Sequence, residues 1–190
     1  MALDQQTFTA VRTYEAFELR RYAPHLVAET VVNAAAGEAG NKGFRILAAY
    51  IFGQNKGARK IEMTAPVSQT ASQIAMTAPV AQMAGATGYV IQFAMPPEWT
   101  LETLPEPLDA RVTLRQIPAR ELAVISYSGT WSQERYEEQL TMLRDALAHA
   151  GLAAHGDPVW ARYDPPWKPW FLRHNEIWLE VDEGGATSTR

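Results

Sequence analysis

The chain contains few side chains that could bind a metal ion or act as a nucleophile. It has no cysteine and four histidines, His25, His149, His155 and His174. Without cysteine there are no disulfides, thiolate ligands or thiol nucleophiles. The sequence also lacks a GxSxG elbow, an HExxH motif and a glycine-rich phosphate loop. This pattern favours a ligand-binding protein over an enzyme, although an enzyme with an unfamiliar motif would show the same pattern.

His25 is one histidine of the chain that could bind a metal. It follows Ala23-Pro24, in the turn that is predicted between two strands. His149 lies in the last turn of a predicted helix, where a cation interacts favourably with the helix dipole, and His155 lies in a predicted loop. Because a histidine in a turn is commonly just solvated, both interpretations of His25 stay open.

Glu176 is a carboxylate in a largely apolar predicted strand, between Asn175 and the run Ile177-Trp178-Leu179. If its side chain points inward, burial raises its pKa unless a cation pairs with it. Strand alternation places Glu176 on the face opposite to Ile177, which favours an outward side chain paired with Arg173 or a neighbour. The inward alternative stays open and would give a buried carboxylate that needs a cationic partner.

Two similar segments near the middle of the chain, residues 61–67 and 74–80, read IEMTAPV and IAMTAPV. Apolar residues alternate in both, which predicts two strands with one apolar face. Proline cannot donate to a sheet ladder, so Pro66 and Pro79 place these strands at an edge or at strand ends. The polar residues 68–73 predict a hairpin loop between them. Met63 and Met76 then share one apolar surface, which suits either core packing or a pocket for a flat ligand.

The chain repeats one order of elements twice. Residues 17–22 and 26–32 predict an antiparallel strand pair joined at Ala23-Pro24-His25, and a helix with an apolar face follows. Residues 114–118 and 122–124 echo that strand pair ahead of a second helix. We predict an α+β fold in which a duplicated ββαββ unit forms a distorted antiparallel β-barrel with two helices packed outside it. A ligand is expected in the cleft between the halves.

Glycines occupy every third position at the start of the first predicted helix, at Gly37, Gly40 and Gly43. Each costs about 1 kcal/mol of helix propensity relative to alanine. Either the helix backbone approaches a sheet or a ligand closely at these positions, or the helix begins later, near Asn41.

Composition and charge are those of an ordinary globular protein. Of the 190 residues, 47% are hydrophobic and 20% are charged, which suits a single domain over residues 13–181, with repeats at 13–96 and 110–181. The termini, 1–12 and 182–190, are expected to be flexible. The net charge of -4 argues against general nucleic-acid binding. With neither a signal-peptide pattern nor about 18 consecutive apolar residues, we expect a cytoplasmic protein without a membrane span.

Several segments together resemble the SOUL family of haem-binding proteins. They are the MTAPV doublet, the strand over residues 88–96, the segment Ser126-Tyr127-Ser128-Gly129, and the runs ARYDPPWKPW and RHNEIWL at residues 161–170 and 173–179. These motifs occur in the family's order, and the doubled MTAPV resembles the bacterial branch. The resemblance implies a distorted antiparallel barrel with two helices, and a haem or related tetrapyrrole as the ligand.

The resemblance also implies a binding site, an apolar groove between the first helix and the sheet that holds haem reversibly for buffering or transport. Lys168 matches a lysine that the family keeps, and its long stem with a cationic head suits a porphyrin propionate; an ordinary surface lysine is the alternative. His25 is the candidate ligand for iron. The other side chains expected at the tetrapyrrole are Trp167, Phe44, Leu47, Ile51, Met63, Met76, Tyr163 and Glu176.

Two other functions stay open. The fold also resembles the GyrI-like effector-binding domains, in which an inward acidic residue meets cationic or hydrophobic small molecules, and Glu176 would take that role. The third function is an enzyme that acts on an apolar or tetrapyrrole substrate, for which no nucleophile or base is assigned. In every case the expected partner is a small hydrophobic ligand, and the oligomeric state is not predicted.

Overall fold

The fold is built from one curled antiparallel sheet and two helices. It is seen in a computed structural model that describes residues 4–5, 7–73, 87–164 and 167–182. The strands are β1 (Asp4–Gln5), β2 (Phe8–Thr13), β3 (Glu18–Tyr22), β4 (His25–Asn33), β5 (Thr64–Ala65), β6 (Val67–Gln73), β7 (Thr87–Ala94), β8 (Thr113–Ile117), β9 (Arg120–Ser128), β10 (Ala154–Arg162) and β11 (His174–Val181). The helices are α1 (Ala36–Ile51) and α2 (Gln133–His149), and Trp170–Leu172 forms one 3-10 turn.

Nine of these strands form the main sheet, in the order β2-β3-β9-β11-β10-β6-β7-β4-β8. The very short β1 and β5 pair separately, in parallel. Because the main sheet is antiparallel, curls into a half-barrel and carries two helices, the predicted fold class is confirmed. The boundaries of the predicted domain stay a prediction.

The predicted hairpin at Ala23-Pro24-His25 is wrong, because β3 and β4 do not pair with each other. Strand β3 pairs with β9, with Tyr22 opposite Arg120, whereas β4 pairs with β8, with His25 opposite Ile117. The four strands therefore form one long two-stranded ribbon. A proline interrupts each of its chains at the same level, Pro24 in one and Pro118 in the other, and a proline cannot donate to the ladder. The ribbon bends there and joins one side of the sheet to the other.

Helix α1 packs on β4 and β7 and begins at Ala36, so the alternative start near Asn41 is wrong. The glycines allow a close approach instead. A Cβ atom on Gly43 would lie 2.3 Å from Cγ1 of Ile91 in β7, and one on Gly40 would lie 2.7 Å from a guanidinium nitrogen of Arg162. The buried residues of this half of the core are Ala28, Val32, Leu47, Tyr50, Ile51, Ile61, Ile91, Phe93, Met95, Leu104 and Val112.

Helix α2 packs on β9, β10 and β11, and the hydroxyl of Ser132 caps its first turn by accepting a hydrogen bond from the backbone N–H of Arg135. The buried residues of this half of the core are Phe17, Leu19, Ala123, Ile125, Tyr127, Leu140, Leu143, Leu147, Ile177, Leu179 and Val181. No helix in the described ranges is long and apolar enough to span a membrane.

Two further expectations are corrected. Residues 68–73 form most of strand β6 rather than a hairpin loop. The strand was missed because some of its buried side chains are polar, so its sequence has no apolar alternation; Gln69, for example, is buried and donates to the carbonyl of Ala36. Residues 8–12 belong to the terminus that was expected to be flexible, but Phe8–Thr13 form the edge strand β2. Every side chain of β2 is exposed, so its sequence shows no alternation of apolar and polar residues. The second MTAPV copy, with Met76, and the tail after residue 182 lie outside the described residues.

Candidate functional site

A cavity of about 640 Å³ opens beside the bend of the ribbon. This volume falls within the range of small-molecule and cofactor pockets, roughly 300 to 1,000 Å³. The loop that follows β7 forms one wall and the bend forms the other. The residues that line the cavity are Thr7, Ala23, Pro24, His25, Leu26, Ala94, Met95, Pro96, Pro97, Trp99, Thr100, Leu101, Glu102 and Gln116.

His25 is the histidine that lines this cavity. Its Nδ1 lies 3.0 Å from the carbonyl oxygen of Ala23, and since a carbonyl only accepts, Nδ1 carries the proton in the neutral ring. The lone pair is therefore on Nε2. Burial lowers the pKa of His25 from its ordinary value, more than the bond to Ala23 raises it, so the imidazole is neutral at pH 7. A neutral ring with one nitrogen held by a carbonyl is the state in which histidine binds a metal.

Glu176 lies on the face of the sheet opposite to α1 and α2 and is almost completely buried, with 2% of its surface exposed. Its carboxylate accepts hydrogen bonds from five side chains. The donors are Nη1 of Arg20 at 2.9 Å, the Ser126 hydroxyl at 3.2 Å, Nε2 of His174 at 3.0 Å, the Tyr163 hydroxyl at 2.7 Å and Nε1 of Trp178 at 2.7 Å. The expected outward side chain paired with Arg173 is therefore wrong.

The protonation state of Glu176 follows from these partners. Burial alone would raise its pKa, but the hydrogen bonds from His174 and Tyr163 and the charge of Arg20 outweigh burial and lower the pKa to about 2. Strand alternation correctly placed Glu176 opposite to Ile177, but both faces of β11 are buried at this point. With all its partners in place, this carboxylate is a structural anion rather than a general base.

The residues predicted around Lys168 form a surface at the other end of the sheet. Nζ of Lys168 lies 2.6 Å from Oδ1 of Asp164, so its charge already has a partner. Trp167 is 83% exposed, and the 3-10 turn Trp170–Leu172 exposes three more large apolar side chains. Arg173 lies under this loop and donates from Nε to the carbonyl of Lys168. The segment is an exposed apolar surface with cations beside it.

The helix residues predicted to contact a tetrapyrrole lie mainly in the core. Leu47 and Ile51 are completely buried between α1 and the sheet, so they are not available to a ligand, and that expectation is corrected. A helix must first bury its apolar face against its own sheet. Phe44 is 39% exposed and packs on Phe93, and Met63 is half-buried under the same helix. Tyr163, another residue predicted to contact the ligand, donates its hydroxyl to Glu176.

His25 and Lys168 cannot touch one ligand the size of a porphyrin. His25 lies near Arg120, at the start of β9. Lys168 lies near the other end of β9: it pairs with Asp164, which accepts a hydrogen bond from the backbone N–H of His174, and His174 lies opposite Ser128. Strand β9 runs from Arg120 to Ser128, and eight steps of strand span roughly 26 Å. The residues predicted for a single site therefore divide between two ends of the sheet.

Sequence reasoning missed several residues that now matter. Arg20 lies on the same face of β3 as Tyr22, and the alternation of that strand could have pointed it at an inward carboxylate. The loop that supplies Met95 and Trp99 to the cavity has no motif that marks it as a ligand wall. Within the described part of the chain, no group of three or more His, Asp or Glu is placed to hold a metal ion.

The curled sheet with two outer helices places the chain in the class of proteins with a GyrI-like fold. The EcmrR C-terminal domain has a similar fold, with a TM-score of 0.63 at 12% identity over 92% of this chain and 98% of that one. An uncharacterized conserved protein from Listeria innocua is similar at a TM-score of 0.62 and 14% identity, over 86% and 92% of the two chains.

Sequence similarity then gives the family. The SOUL heme-binding protein family matches residues 3–180, and the chain belongs to this family. Heme-binding protein 2 of Homo sapiens is 28% identical over 165 residues, which cover 86% of this chain and 77% of that protein. The family resemblance that the motifs indicated is confirmed.

Proposed function

We propose that this chain binds haem reversibly in the cavity beside His25, with Nε2 of His25 as the iron ligand, and that it serves haem buffering or transport. Family membership supports haem binding in general. The observation that carries the proposed site is His25 itself, a neutral histidine whose Nδ1 is held by a backbone carbonyl and which lines a cavity of about 640 Å³. Bound iron would give the characteristic Soret absorption of a histidine-ligated haem.

The walls of the cavity suit a flat apolar ligand with acidic groups. Leu26, Met95 and Trp99 supply apolar and aromatic surface, and burial of such surface contributes about 25 cal/mol per Å². Arg59 stacks on Trp99, with Cζ 4.5 Å from the ring centre. Its exposed guanidinium is one group beside the cavity that can bind a carboxylate at the rim. These residues fit haem, and they would hold the ring by burial and the iron by one bond.

The apolar groove predicted between the first helix and the sheet, with Lys168 at a propionate, is the rival site for the same ligand. There, the affinity would come from burial alone, so metal-free protoporphyrin would bind as well as haem. The exposed aromatic side chains of the loop support this site, whereas the bond from Lys168 to Asp164 weakens it because a propionate would have to compete with a carboxylate already in place. Iron dependence distinguishes the two sites.

The test is a parallel titration of the protein with haemin and with metal-free protoporphyrin, followed by the Soret band and by tryptophan quenching. We expect His25→Ala to abolish the haem-specific Soret shift and Lys168→Ala to leave it unchanged. His149→Ala is the matched control, because His149 also has Nδ1 on a backbone carbonyl, that of Asp145, but is exposed on α2. Equal binding of both porphyrins that only Lys168→Ala weakens would refute the His25 site.

The same titration addresses the other two functions. A GyrI-like pocket for cationic or hydrophobic molecules requires Glu176, and its observation in favour is a buried carboxylate on the helix-free face. Saturable binding of a lipophilic cation such as tetraphenylphosphonium that is lost in Glu176→Gln, with no binding of haemin, would replace the haem proposal with this function. Recovery of chemically altered haem after incubation would instead indicate an enzyme.

A further inference from the structure

Another cavity, of about 260 Å³, opens under the C-terminal end of α2. Its walls come from α2 and from the turn that follows this helix, and its floor comes from β10 and β11. It shares no lining residue with the cavity beside His25. Since the share of one water molecule in liquid volume is about 30 Å³, the space corresponds to about nine water molecules, or to a ligand of about that many heavy atoms.

The turn that ends α2 builds an apolar wall of this cavity. Gly151 has a positive φ of 70°, and its backbone N–H donates to the carbonyl of Ala148 at 3.1 Å. The backbone N–H of Leu152 donates to the carbonyl of Leu147 at 3.0 Å. These two bonds form the Schellman arrangement, which commonly brings the side chains of its outer bonded pair together. Here that pair is Leu147 and Leu152, and both leucines line the cavity.

A bulge in β10 leaves room between this wall and the sheet. The pairing of β10 with β11 passes from His155 directly to Val159, so three residues of β10 face Leu179 alone. Gly156 lies in the bulge with a φ of 71°, and a Cβ atom on it would meet no other atom within 4 Å. A bulge bends its strand locally. The bent strand leaves Leu179, a buried leucine of β11, as the apolar floor of the cavity.

Arg144 places a positive charge at the rim of this cavity. It precedes Leu147 and Ala148 by three and four residues, so the three side chains share one face of α2. Arg144 is exposed, and no carboxylate of the described residues lies within 4.0 Å of it. By contrast, Arg135 of the same helix pairs with Glu138 at 2.7 Å. An apolar cavity with an unpaired guanidinium at its rim is the complement of an apolar chain that ends in an anion.

We propose that the cavity under α2 binds a short-chain aliphatic carboxylate, with the carboxylate on the guanidinium of Arg144 and the chain between the leucines of the wall and the floor. A planar guanidinium binds a carboxylate through two parallel hydrogen bonds, and the leucine side chains around it bury hydrocarbon. Hexanoate, with about eight heavy atoms, matches the volume of the cavity. The space is too small for a tetrapyrrole, so this site does not rest on the haem proposal.

The test titrates the 15N-labelled protein with hexanoate and with the neutral hexanamide, followed by the NMR shifts of the backbone amides. We expect saturable shifts at Gly151, Leu152 and Gly156, with at least tenfold weaker binding of hexanamide, the effect of about one hydrogen bond to a charged group. Arg144→Met should weaken hexanoate binding by a similar factor. The matched control is Arg45→Met, which should change nothing, because Arg45 is also exposed on a helix without a carboxylate of the described residues within 4.0 Å. Equal affinity for acid and amide, or no saturable shift at these three amides, would overturn the proposal.

The length of the chain tests the apolar part of the site on the wild-type protein. Each methylene group added between propanoate and hexanoate should strengthen binding about fourfold, the effect of burying one CH₂. Decanoate should bind no more tightly than hexanoate, because the cavity is then full. An affinity that does not depend on chain length would overturn the placement of the chain among the leucines, and this comparison decides the question even if Arg144→Met fails to fold.

Two further variants separate this site from the haem site. Ala148→Leu keeps every charge and a good helix former but fills the cavity, so it should weaken hexanoate binding about tenfold or more and leave haemin binding unchanged. Unchanged hexanoate affinity in a folded Ala148→Leu protein would overturn the proposal. His25→Ala should leave hexanoate binding intact, so failure of the haem site and failure of this site give different results.

Discussion

Replacement of Glu176 by glutamine tests the buried network on the helix-free face. The two carboxylate oxygens divide the donors between them: Tyr163 and Trp178 donate to Oε2, and the other three side chains, including Arg20, donate to Oε1. A glutamine has only one oxygen. Whichever way its amide turns, the NH2 group faces at least one N–H donor, and Arg20 loses a charged partner.

The magnitude follows from the pKa of Glu176. A fall from the ordinary 4.5 to about 2 corresponds to about 3 kcal/mol of stability, at about 1.4 kcal/mol for each pH unit. Breaking a buried pair by removing one partner costs about 3 to 5 kcal/mol, which is consistent. Because the folded-state pKa is depressed, this contribution is complete above the unfolded pKa near 4.5 and is lost as the pH falls from there towards 2.

The assay is urea unfolding of the wild type and Glu176→Gln at pH 7 and at pH 2.5, followed by circular dichroism. We expect the variant to be about 3 kcal/mol less stable at pH 7 and the difference to shrink towards zero at pH 2.5. Glu18→Gln is the matched control: Glu18 also binds Arg20, at 2.8 Å, but is 39% exposed, so its loss should cost under about 1 kcal/mol. A loss below 1 kcal/mol for Glu176→Gln, or a difference independent of pH, would refute this reasoning.

Three other substitutions follow from packing, and urea unfolding at pH 7 measures each of them. Gly43→Ala should destabilise the protein by about 1 to 2 kcal/mol, because the new methyl group collides with Ile91 and overpacking outweighs the gain in helix propensity. In the same helix, the methyl group of Gly37→Ala meets no atom within 4 Å, so this variant should stabilise the protein by up to about 1 kcal/mol. Equal changes in stability for Gly43→Ala and Gly37→Ala would contradict the close approach of α1 to the sheet. Asn55→Ala should cost about 2 to 3 kcal/mol, since this buried side chain satisfies three backbone groups after α1; an unchanged midpoint would contradict that role.

The sequence was a good guide where one element has one apolar face. The apolar stripe of α1 and the alternation in β11 predicted their elements correctly, and the motifs predicted the family. It was a poor guide where pairing is non-local. The bend at Pro24 looks like a hairpin turn locally, and only the distant partners β8 and β9 turn it into a continuous ribbon. Strand pairing depends on contacts that no local pattern contains.

The candidate sites were predictable only in part, for a similar reason. Glu176 was recognised as a notable carboxylate, but its burial depends on Arg20, which lies 156 residues away in the chain. Lys168 matched a family motif, yet its neighbour Asp164 already neutralises it. Leu47 and Ile51 were expected to contact a ligand, but they are buried in the core between α1 and the sheet. Whether a side chain is free for a ligand is decided by its tertiary partners, which a motif does not specify.

The separation of the two candidate haem sites has a consequence for substitutions at either of them. The proposed haem cavity depends on the ribbon bend and the loop after β7, whereas the rival site at Lys168 depends on the loop before β11, at the other end of β9. They share no lining residue. Sites more than about 10 Å apart with no shared partner usually contribute independently, so substitutions at one leave the affinity of the other unchanged. We therefore expect substitutions beside His25 and beside Lys168 to have additive effects, while the core between them, with Glu176 buried in it, stays as it is.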